Sequence, residues 1–137
     1  MRTLYPSLKV GRVLIVLLSA ALATGIIANI AEDRARRSAV ATAMTGGDAR
    51  LAPEIFRRYG CAGCHTIPGI PGADGKVGGE LRSIRERVYI GDGVNNTPEN
   101  LVRWIVSPTH FSRGTAMPET GISEAEARHL AAYLYAD

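Results

Sequence analysis

Hydrophobic positions run uninterrupted by charge from residue 13 to residue 31, between Arg12 and Glu32, and no polar face divides the run. A helix needs about 20 mostly apolar residues to cross a bilayer, so the pattern predicts a transmembrane anchor over residues 13–31. The alternative is a cleaved signal peptide, with a basic start and a small-x-small cleavage site that ends at Ala23. Apolar sequence continues past that site through Ile30, whereas the apolar core of a signal peptide usually spans roughly 7 to 15 residues. The pattern therefore favours an uncleaved anchor.

The pattern changes after the apolar run. Residues 32–49 are first charged and then small, and they predict a juxtamembrane stem or linker with a flexible joint at Gly46-Gly47. Beyond residue 50, short segments with apolar residues at helical spacing alternate with loops rich in glycine and proline. The predicted helices are residues 53–59, 81–88, 98–107 and a last segment from residue 124. Since no segment alternates as a strand would, the sequence predicts a small all-α domain over residues 50–137.

Capping signals mark where two of these helices begin. Thr97 is a typical N-cap residue, and Pro98 suits the first helical position after it. That helix ends before Pro108, because proline disfavours helical geometry in the residue ahead of it. Ser123 and Glu126 have the spacing of a capping box, in which each side chain bonds the backbone of the other residue.

Charge excludes one class of function. The chain has 16 Lys and Arg against 13 Asp and Glu, a formal net charge of +3. The basic excess lies on both flanks of the apolar run, with Arg2, Lys9 and Arg12 before it and three arginines just after it. The sequence has no Lys/Arg stripe with interleaved aromatic residues, so nucleic-acid binding has no support. The nearly balanced flanks leave the orientation of the anchor open.

The predicted domain needs something to fill its core. Roughly 90 residues in short helices bury little apolar surface, and such domains usually depend on a staple, a metal or a large ligand. The two cysteines of the chain offer a means to hold one. They are Cys61 and Cys64 in the stretch RRYGCAGCHTIPG, residues 57–69, and His65 follows directly.

Four interpretations of the CAGCH stretch compete. A zinc site needs four ligands, and His110 and His129 lie far along the chain on different elements. A thioredoxin-like dithiol belongs to a strand–helix context that the pattern lacks, and a disulfide across so short a loop contributes little stability. Covalent haem attachment explains the spacing, because each thiol adds to one porphyrin vinyl group and the next residue binds the iron. The sequence thus predicts one c-type haem held by Cys61 and Cys64, with His65 as proximal ligand.

A second axial ligand is expected from the loop after the middle helix. Met117 is the one methionine that follows the haem motif, and Pro118 stiffens the backbone behind it. Methionine is more often ordinary apolar packing, and His110 is the rival ligand. The position of Met117 in a loop between two helices, directly before a proline, favours it as the ligand.

These residues together resemble class I cytochromes c, which are small helical electron carriers with one covalent haem. The resemblance covers about residues 50–136. IFRRYGCAGCHTI resembles the first helix and haem site of the family, NTPENLVRWIVSP its middle helix, AMP its distal methionine motif and EAEARHLAAYL its last helix. The domain is similar in particular to the cytochrome c domain fused to subunit II of some haem–copper oxidases, here on an anchor of its own.

The resemblance implies roles for individual residues. The thioethers would be at Cys61 and Cys64, the proximal ligand would be His65 and the distal ligand Met117. Trp104 matches a position near the haem propionates, to which its N–H can donate. The family usually has Gly-Pro-x-Leu where this chain has Gly78-Gly79-Glu80-Leu81, so the carbonyl of Gly79 would accept the proximal histidine's N–H on a looser loop. Phe56 and Tyr133 would lie where the first and last helices cross.

The resemblance also implies a location and a function. Haem is attached to such proteins outside the bacterial cytoplasmic membrane, so residues 1–12 would be cytoplasmic and the haem domain periplasmic. With both axial positions filled, we expect single-electron transfer without a small-molecule substrate, from a quinol-oxidising complex or dehydrogenase towards a terminal haem–copper oxidase. The alternatives are a fixed haem subunit of a larger respiratory complex, and a haem sensor or catalyst with a labile sixth ligand.

Overall fold

The computed structural model describes residues 5–137 of the chain, with side chains from residue 10 onward. The chain divides into two compact units, one that ends at Ala35 and one that comprises Arg36–Asp137. The cytoplasmic segment predicted over residues 1–12 falls partly on residues 1–4, which lie outside the described residues.

Helix α1, Tyr5–Thr45, begins in the first unit. In that unit its side chains from residue 12 to residue 35 are all exposed, although most of those over residues 13–31 are apolar. Among the described residues it is the one helix that is long and apolar enough to cross a membrane. The helix is therefore a candidate membrane anchor.

The last turns of α1 belong to the second unit and pack within it. Ala41 and Thr45 are buried, and the Thr45 hydroxyl donates to the Ala41 carbonyl at 2.7 Å. The Arg128 guanidinium donates to the Thr45 carbonyl at 2.9 Å, and a Cβ added at Gly47 would lie 2.0 Å from the Arg128 carbonyl oxygen. Where the sequence predicts a linker over residues 32–49, the structure thus has a helix end followed by a close backbone contact. The alanine and arginine residues of this segment are good helix formers, and its small residues permit the close approach.

Short elements make up the rest of the second unit. In chain order they are a 3₁₀ turn Ala49–Leu51, α2 Ala52–Arg58, α3 Cys61–Cys64, a second 3₁₀ turn Ile84–Glu86, β1 Tyr89–Gly91, β2 Val94–Asn95, α4 Pro98–Val106, α5 Pro108–Phe111 and α6 Glu124–Ala136. Within the described residues the strands form one two-stranded antiparallel pair. Helices dominate, which confirms the predicted helical fold class.

The predicted helix starts are confirmed at α4 and α6. The Thr97 hydroxyl accepts a hydrogen bond from the Asn100 N–H at 3.2 Å. The Ser123 hydroxyl accepts from the Glu126 N–H at 3.3 Å, and the Glu126 carboxylate accepts from the Ser123 N–H at 3.3 Å. These bonds satisfy N–H groups that have no partner inside the helix, so both helices begin where the capping signals place them.

Three local predictions are wrong. Over residues 81–88 only the 3₁₀ turn Ile84–Glu86 is helical. The glycine-rich segment after it, which the sequence predicts as loop, contains the hairpin of β1 and β2. Helix α5 interrupts the loop that is predicted after α4. Each of these elements has four residues or fewer, and so few positions cannot display a period of 2 or 3.6.

Helices α2, α4 and α6 form the core that positions the site. Phe56 on α2 and Leu130 on α6 are fully buried, and Leu101, Val102 and Ile105 on α4 are buried. The rings of Phe56 and Tyr133 meet edge to face with centroids 5.6 Å apart and planes at 78°, a favourable arrangement for aromatic pairs. The predicted crossing of the first and last helices of the domain is therefore confirmed at these two residues.

Candidate functional site

A cavity of about 350 Å³ lies among the helices of the second unit. Its wall contains all six residues that the sequence motifs and the family resemblance predict for the site: Cys61, Cys64, His65, Gly79, Trp104 and Met117. Much of the remaining wall is apolar and includes Phe56, Ile84, Leu101, Ile105, Leu130 and Leu134. A concave, mostly apolar site with a few polar groups is the usual setting for a cofactor.

Helix α3 is a single turn that holds both cysteines at the cavity wall. Gly60 precedes it with a φ of 72°, a left-handed conformation that glycine adopts at low cost. The His65 N–H donates to the Cys61 carbonyl at 2.9 Å and closes the turn. Burial raises the pKa of the Cys61 thiol, as expected for a sulfur that faces an apolar wall. Two thiols and an imidazole are thus held within one turn of backbone.

The His65 imidazole is oriented by a backbone carbonyl. Its Nδ1 lies 2.6 Å from the carbonyl oxygen of Gly79. Because a carbonyl only accepts, this contact places the proton on Nδ1 and leaves a lone pair on Nε2, the form of histidine that binds a metal. The structure contains the contact that the sequence predicts for Gly79, although no proline stiffens this position.

Residues 75–81, the proximal loop, lie against the backbone of the CAGCH stretch. The Gly78 N–H donates to the Cys64 carbonyl at 2.8 Å, and the Leu81 N–H donates to the Thr66 carbonyl at 2.9 Å. These two bonds flank Gly79 and hold its carbonyl in place. The two hydrogen bonds therefore restrain the proximal loop, which is expected to be looser because it lacks the proline of the family motif.

Met117 lies half-buried on the loop between α5 and α6, and its N–H donates to the Thr115 hydroxyl at 3.2 Å. The loop is tied back to α5 through Glu119, whose carboxylate accepts from the Ser107 hydroxyl at 3.0 Å and from the Thr109 hydroxyl. The hydrogen bond from Thr109, followed by that from Ser107, lowers the pKa of Glu119. Sequence patterns give no signal for Glu119, since its partners are placed by α5, which is itself unpredicted.

His110, the rival ligand, lies outside the cavity wall. It is exposed on α5, where its ring meets that of Phe111 edge-on with centroids 5.1 Å apart. His129 lies on α6 and its Nδ1 accepts a hydrogen bond from the Asp48 N–H at 2.8 Å. The structure thus brings His65 and Met117 to one cavity and leaves the other two histidines elsewhere.

Arg87 is a cavity residue that the sequence pattern does not single out. Among the described residues that line the cavity it is the one arginine, and no lysine lines it. Its guanidinium donates to the Glu80 carbonyl at 2.5 Å and to the Arg82 carbonyl at 3.0 Å. Trp104 also lines the cavity, with its indole tilted against Phe111 at a centroid distance of 5.9 Å. A fixed cation and an indole are therefore available at the wall for the carboxylates of a ligand.

The residues of the cavity fit a covalently bound haem. The wall offers two thiols in one turn, an imidazole whose Nδ1 lies against a backbone carbonyl, a thioether and an apolar surface that suits a porphyrin. A zinc site has no comparable support, because no group of three or more His, Cys, Asp or Glu in the described part of the chain could hold a metal ion. Cys61, Cys64 and His65 form the motif that covalent haem c requires, and Met117 lies in the same wall.

Comparison with known proteins gives a family and a relative. Residues 49–136 match the family model described as cytochrome c. Over 82 residues the chain is 33% identical to a protein named cytochrome c oxidase subunit 2 from Alkalihalophilus pseudofirmus. That match covers 59% of this chain but only 23% of the relative, so the chain spans less than a quarter of the relative's length. No solved structure matches the chain significantly.

Proposed function

The chain belongs to the cytochrome c family, and from that premise we propose that it is a membrane-anchored monohaem carrier in a respiratory chain. Family membership gives the coarser part of this function, which is electron transfer with covalent haem c as cofactor. The proposal adds that the electrons travel singly from a quinol-oxidising complex or dehydrogenase towards a terminal haem–copper oxidase. The likeness of the domain to part of a cytochrome c oxidase subunit 2 supports this direction.

One observation carries the proposal: His65 and Met117 line the same cavity as the two cysteines of the haem motif, and His110 does not. With these two residues as axial ligands, the protein itself would fill both axial positions of the iron. No position would remain for a substrate on the metal. The protein would then pass electrons through the haem edge to a partner, without bond making or breaking.

The haem iron supplies the one-electron chemistry, since it changes between the ferrous and ferric states. The residues of the chain set the conditions for it. Nε2 of His65 would bind the iron while the Gly79 carbonyl holds the proton on Nδ1. The thioether of Met117 would favour ferrous iron and raise the reduction potential relative to a second imidazole. Apolar side chains of α4 and α6 line the site, and burial of the haem among them would also favour a high potential.

Membrane placement is the second part of the proposal. The exposed apolar face of α1 over residues 13–31 supports an anchor in the cytoplasmic membrane. We place the segment before it in the cytoplasm and the haem domain on the periplasmic side. The anchor would confine diffusion to the membrane plane and raise the effective concentration of the carrier near its partners.

A fixed haem subunit of an oxidase complex is the second candidate function. It is favoured by the same relative, in which the matching domain is part of a protein named as an oxidase subunit. Extraction in a mild detergent followed by identification of co-migrating proteins separates the two functions. A carrier should migrate without stoichiometric partners, whereas a subunit should migrate with the other chains of its complex.

Met117→Ala tests the distal ligand and decides between a carrier and a sensor. We expect the oxidised protein to lose the weak sulfur-to-iron absorption band near the red end of the spectrum. The reduction potential should fall and the reduced protein should bind carbon monoxide, because the iron loses its sixth ligand. Met117→His should keep six-coordination and lower the potential within the ~0.8 V span that axial ligands command.

His110→Ala is the matched control and should leave the band and the potential unchanged. If Met117→Ala changes neither property while His110→Ala changes both, His110 is the ligand. The proposed electron transfer towards a terminal oxidase is then wrong. In both variants the haem should stay with the polypeptide in a denaturing gel, since Cys61 and Cys64 hold it independently of the axial ligand. Haem that separates from the polypeptide in the gel would contradict covalent attachment.

A further inference from the structure

The His65 imidazole lies directly against the backbone of Gly78. A Cβ added at Gly78 would lie 2.4 Å from Cε1 of His65, 2.6 Å from Nδ1 and 2.8 Å from Nε2. Real Cβ atoms essentially never approach another heavy atom within 3.0 Å. No side chain larger than hydrogen therefore fits at residue 78 while the imidazole keeps its position.

Residue 78 is glycine because a side chain has no room there, and not because of its backbone conformation. Several glycines of the chain, Gly60 and Gly69 among them, have a left-handed φ that disfavours other residues, but Gly78 does not. A left-handed φ is therefore not the reason that residue 78 is glycine. The contact with the imidazole excludes an alanine there.

The backbone of the proximal loop has little freedom to retreat from an added methyl group. The Gly78 N–H is bonded to the Cys64 carbonyl at 2.8 Å. A Cβ added at Gly75 would lie 2.5 Å from the carbonyl carbon of Cys64, so the loop is also in close contact with the haem motif three residues earlier. A methyl group at residue 78 would therefore displace the imidazole sooner than the loop.

We propose that Gly78 is a positioning residue whose missing side chain sets the location and plane of the His65 imidazole. The same contact keeps the Nδ1–H directed at the Gly79 carbonyl, 2.6 Å away. Such a bond raises the basicity of a ligating imidazole and so stabilises ferric iron. The inference rests on the proposed function, in which His65 binds the haem iron.

Gly78→Ala tests the inference in the full-length holoprotein. We expect a shift in the principal g values of the ferric signal in electron paramagnetic resonance, which report on the orientation of the axial ligands. We also expect a higher reduction potential, because a displaced imidazole loses its bond to the Gly79 carbonyl and becomes a weaker donor to ferric iron. Gly114→Ala is the matched control, since a Cβ there meets nothing within 4 Å and the residue lies outside the cavity wall. Gly75→Ala adds crowding of a different kind, because the three atoms nearest to its Cβ all belong to the backbone of Gly63 and Cys64.

The g values and the potential should change in Gly78→Ala and stay near the native values in Gly114→Ala and Gly75→Ala. Native values in Gly78→Ala, or an equal change in either control, would overturn the inference. If Gly78→Ala yields no haem protein, the yields of haem protein from the three variants test the inference instead. A loss confined to Gly78→Ala supports the inference, and an equal loss in Gly75→Ala contradicts it.

The outcomes also separate this inference from the function on which it rests. If the unsubstituted protein lacks the low-spin signal of a histidine-ligated haem, the proposed function fails and the role of Gly78 fails with it. If that signal is present and Gly78→Ala leaves it unchanged, only the role of Gly78 is wrong.

Discussion

Arg87 carries a positive charge at the wall of a cavity whose other side chains are mostly apolar. Two backbone carbonyls of the proximal loop and its continuation accept hydrogen bonds from its guanidinium, so the charge has a fixed position. Haem carries two propionate carboxylates and gains a negative charge when it is reduced. A fixed cation near it should therefore favour the reduced state, by an amount that falls with distance and with salt.

Arg87→Gln should lower the reduction potential. The expected change is on the order of 1 kcal/mol, or about 40 mV for one electron, at low ionic strength. Arg85→Gln is the matched control, because it also removes one charge from an arginine that lies outside the cavity wall and pairs with Glu86 at 3.5 Å. Redox titration of the two variants measures the difference. An equal shift in both variants would mean that net charge matters and the position of Arg87 does not.

At the scale of elements, the Glu126 carboxylate joins the start of α6 to the end of α2. It accepts hydrogen bonds from the Tyr59 hydroxyl at 2.8 Å and from the Arg58 guanidinium at 3.0 Å, besides its bonds to Ser123 in the capping box. The hydrogen bond from Ser123, followed by that from Tyr59, lowers the pKa of Glu126. One side chain thus caps a helix and ties it to the helix that leads into the haem motif.

The lowered pKa of Glu126 predicts a pH-dependent contribution to stability. A carboxyl whose folded pKa lies below its unfolded value of 4.5 stabilises the fold fully above that value, and the contribution disappears as the pH falls through the lower folded value. Glu126→Gln should therefore lower the melting temperature at neutral pH, and the gap between native protein and variant should narrow as the solution is acidified. Thermal unfolding followed by circular dichroism at several pH values measures this gap.

Glu124→Gln is the control for this prediction. Glu124 lies in the same first turn of α6 and pairs with Arg128 on its own helix, so it makes no connection to α2. Its substitution should cost less stability at neutral pH. A gap of equal size for Glu124→Gln would show that the helix terminus, and not the bridge to α2, is what Glu126 stabilises.

Local chemistry explains which elements were predictable. Thr97 and the Ser123–Glu126 pair act within one turn of backbone, and the haem motif spans five residues, so each is visible in the sequence alone. The contact of Gly47 with the carbonyl of Arg128 joins segments 81 residues apart. No periodicity or motif signals such a contact, so the sequence predicts a linker for a segment that in the structure packs as a helix end.

At the scale of the whole molecule, the two units depend on different partners for their stability. The second unit surrounds a cavity whose wall comes from α2, α3, α4, α6 and two long loops, so its packing is completed by the group that the cavity holds. A group that binds only the folded state stabilises that state. The first unit exposes apolar side chains over residues 13–31. An exposed apolar surface of this extent indicates that a membrane or a protein partner covers it.

Membrane insertion is the prediction that belongs to this scale. The full-length protein should stay in the membrane pellet after an alkaline carbonate wash, and its measured mass should include residues 13–31. Leu22→Arg should shift part of the protein out of the membrane, because an arginine at the centre of a spanning helix costs about 2.5–3.5 kcal/mol. Leu22→Ile keeps the apolar character and should fractionate as the native protein does.

Ala23→Leu separates an anchor from a signal peptide, since cleavage requires a small residue at that position. With an uncleaved anchor the substitution should change neither the mass nor the fractionation of the protein. A native product that begins at Thr24, together with accumulation of a longer and membrane-bound product in Ala23→Leu, would show that the apolar segment is removed. The haem domain would then diffuse freely, and the confinement to the membrane plane that concentrates it near its partners would be lost.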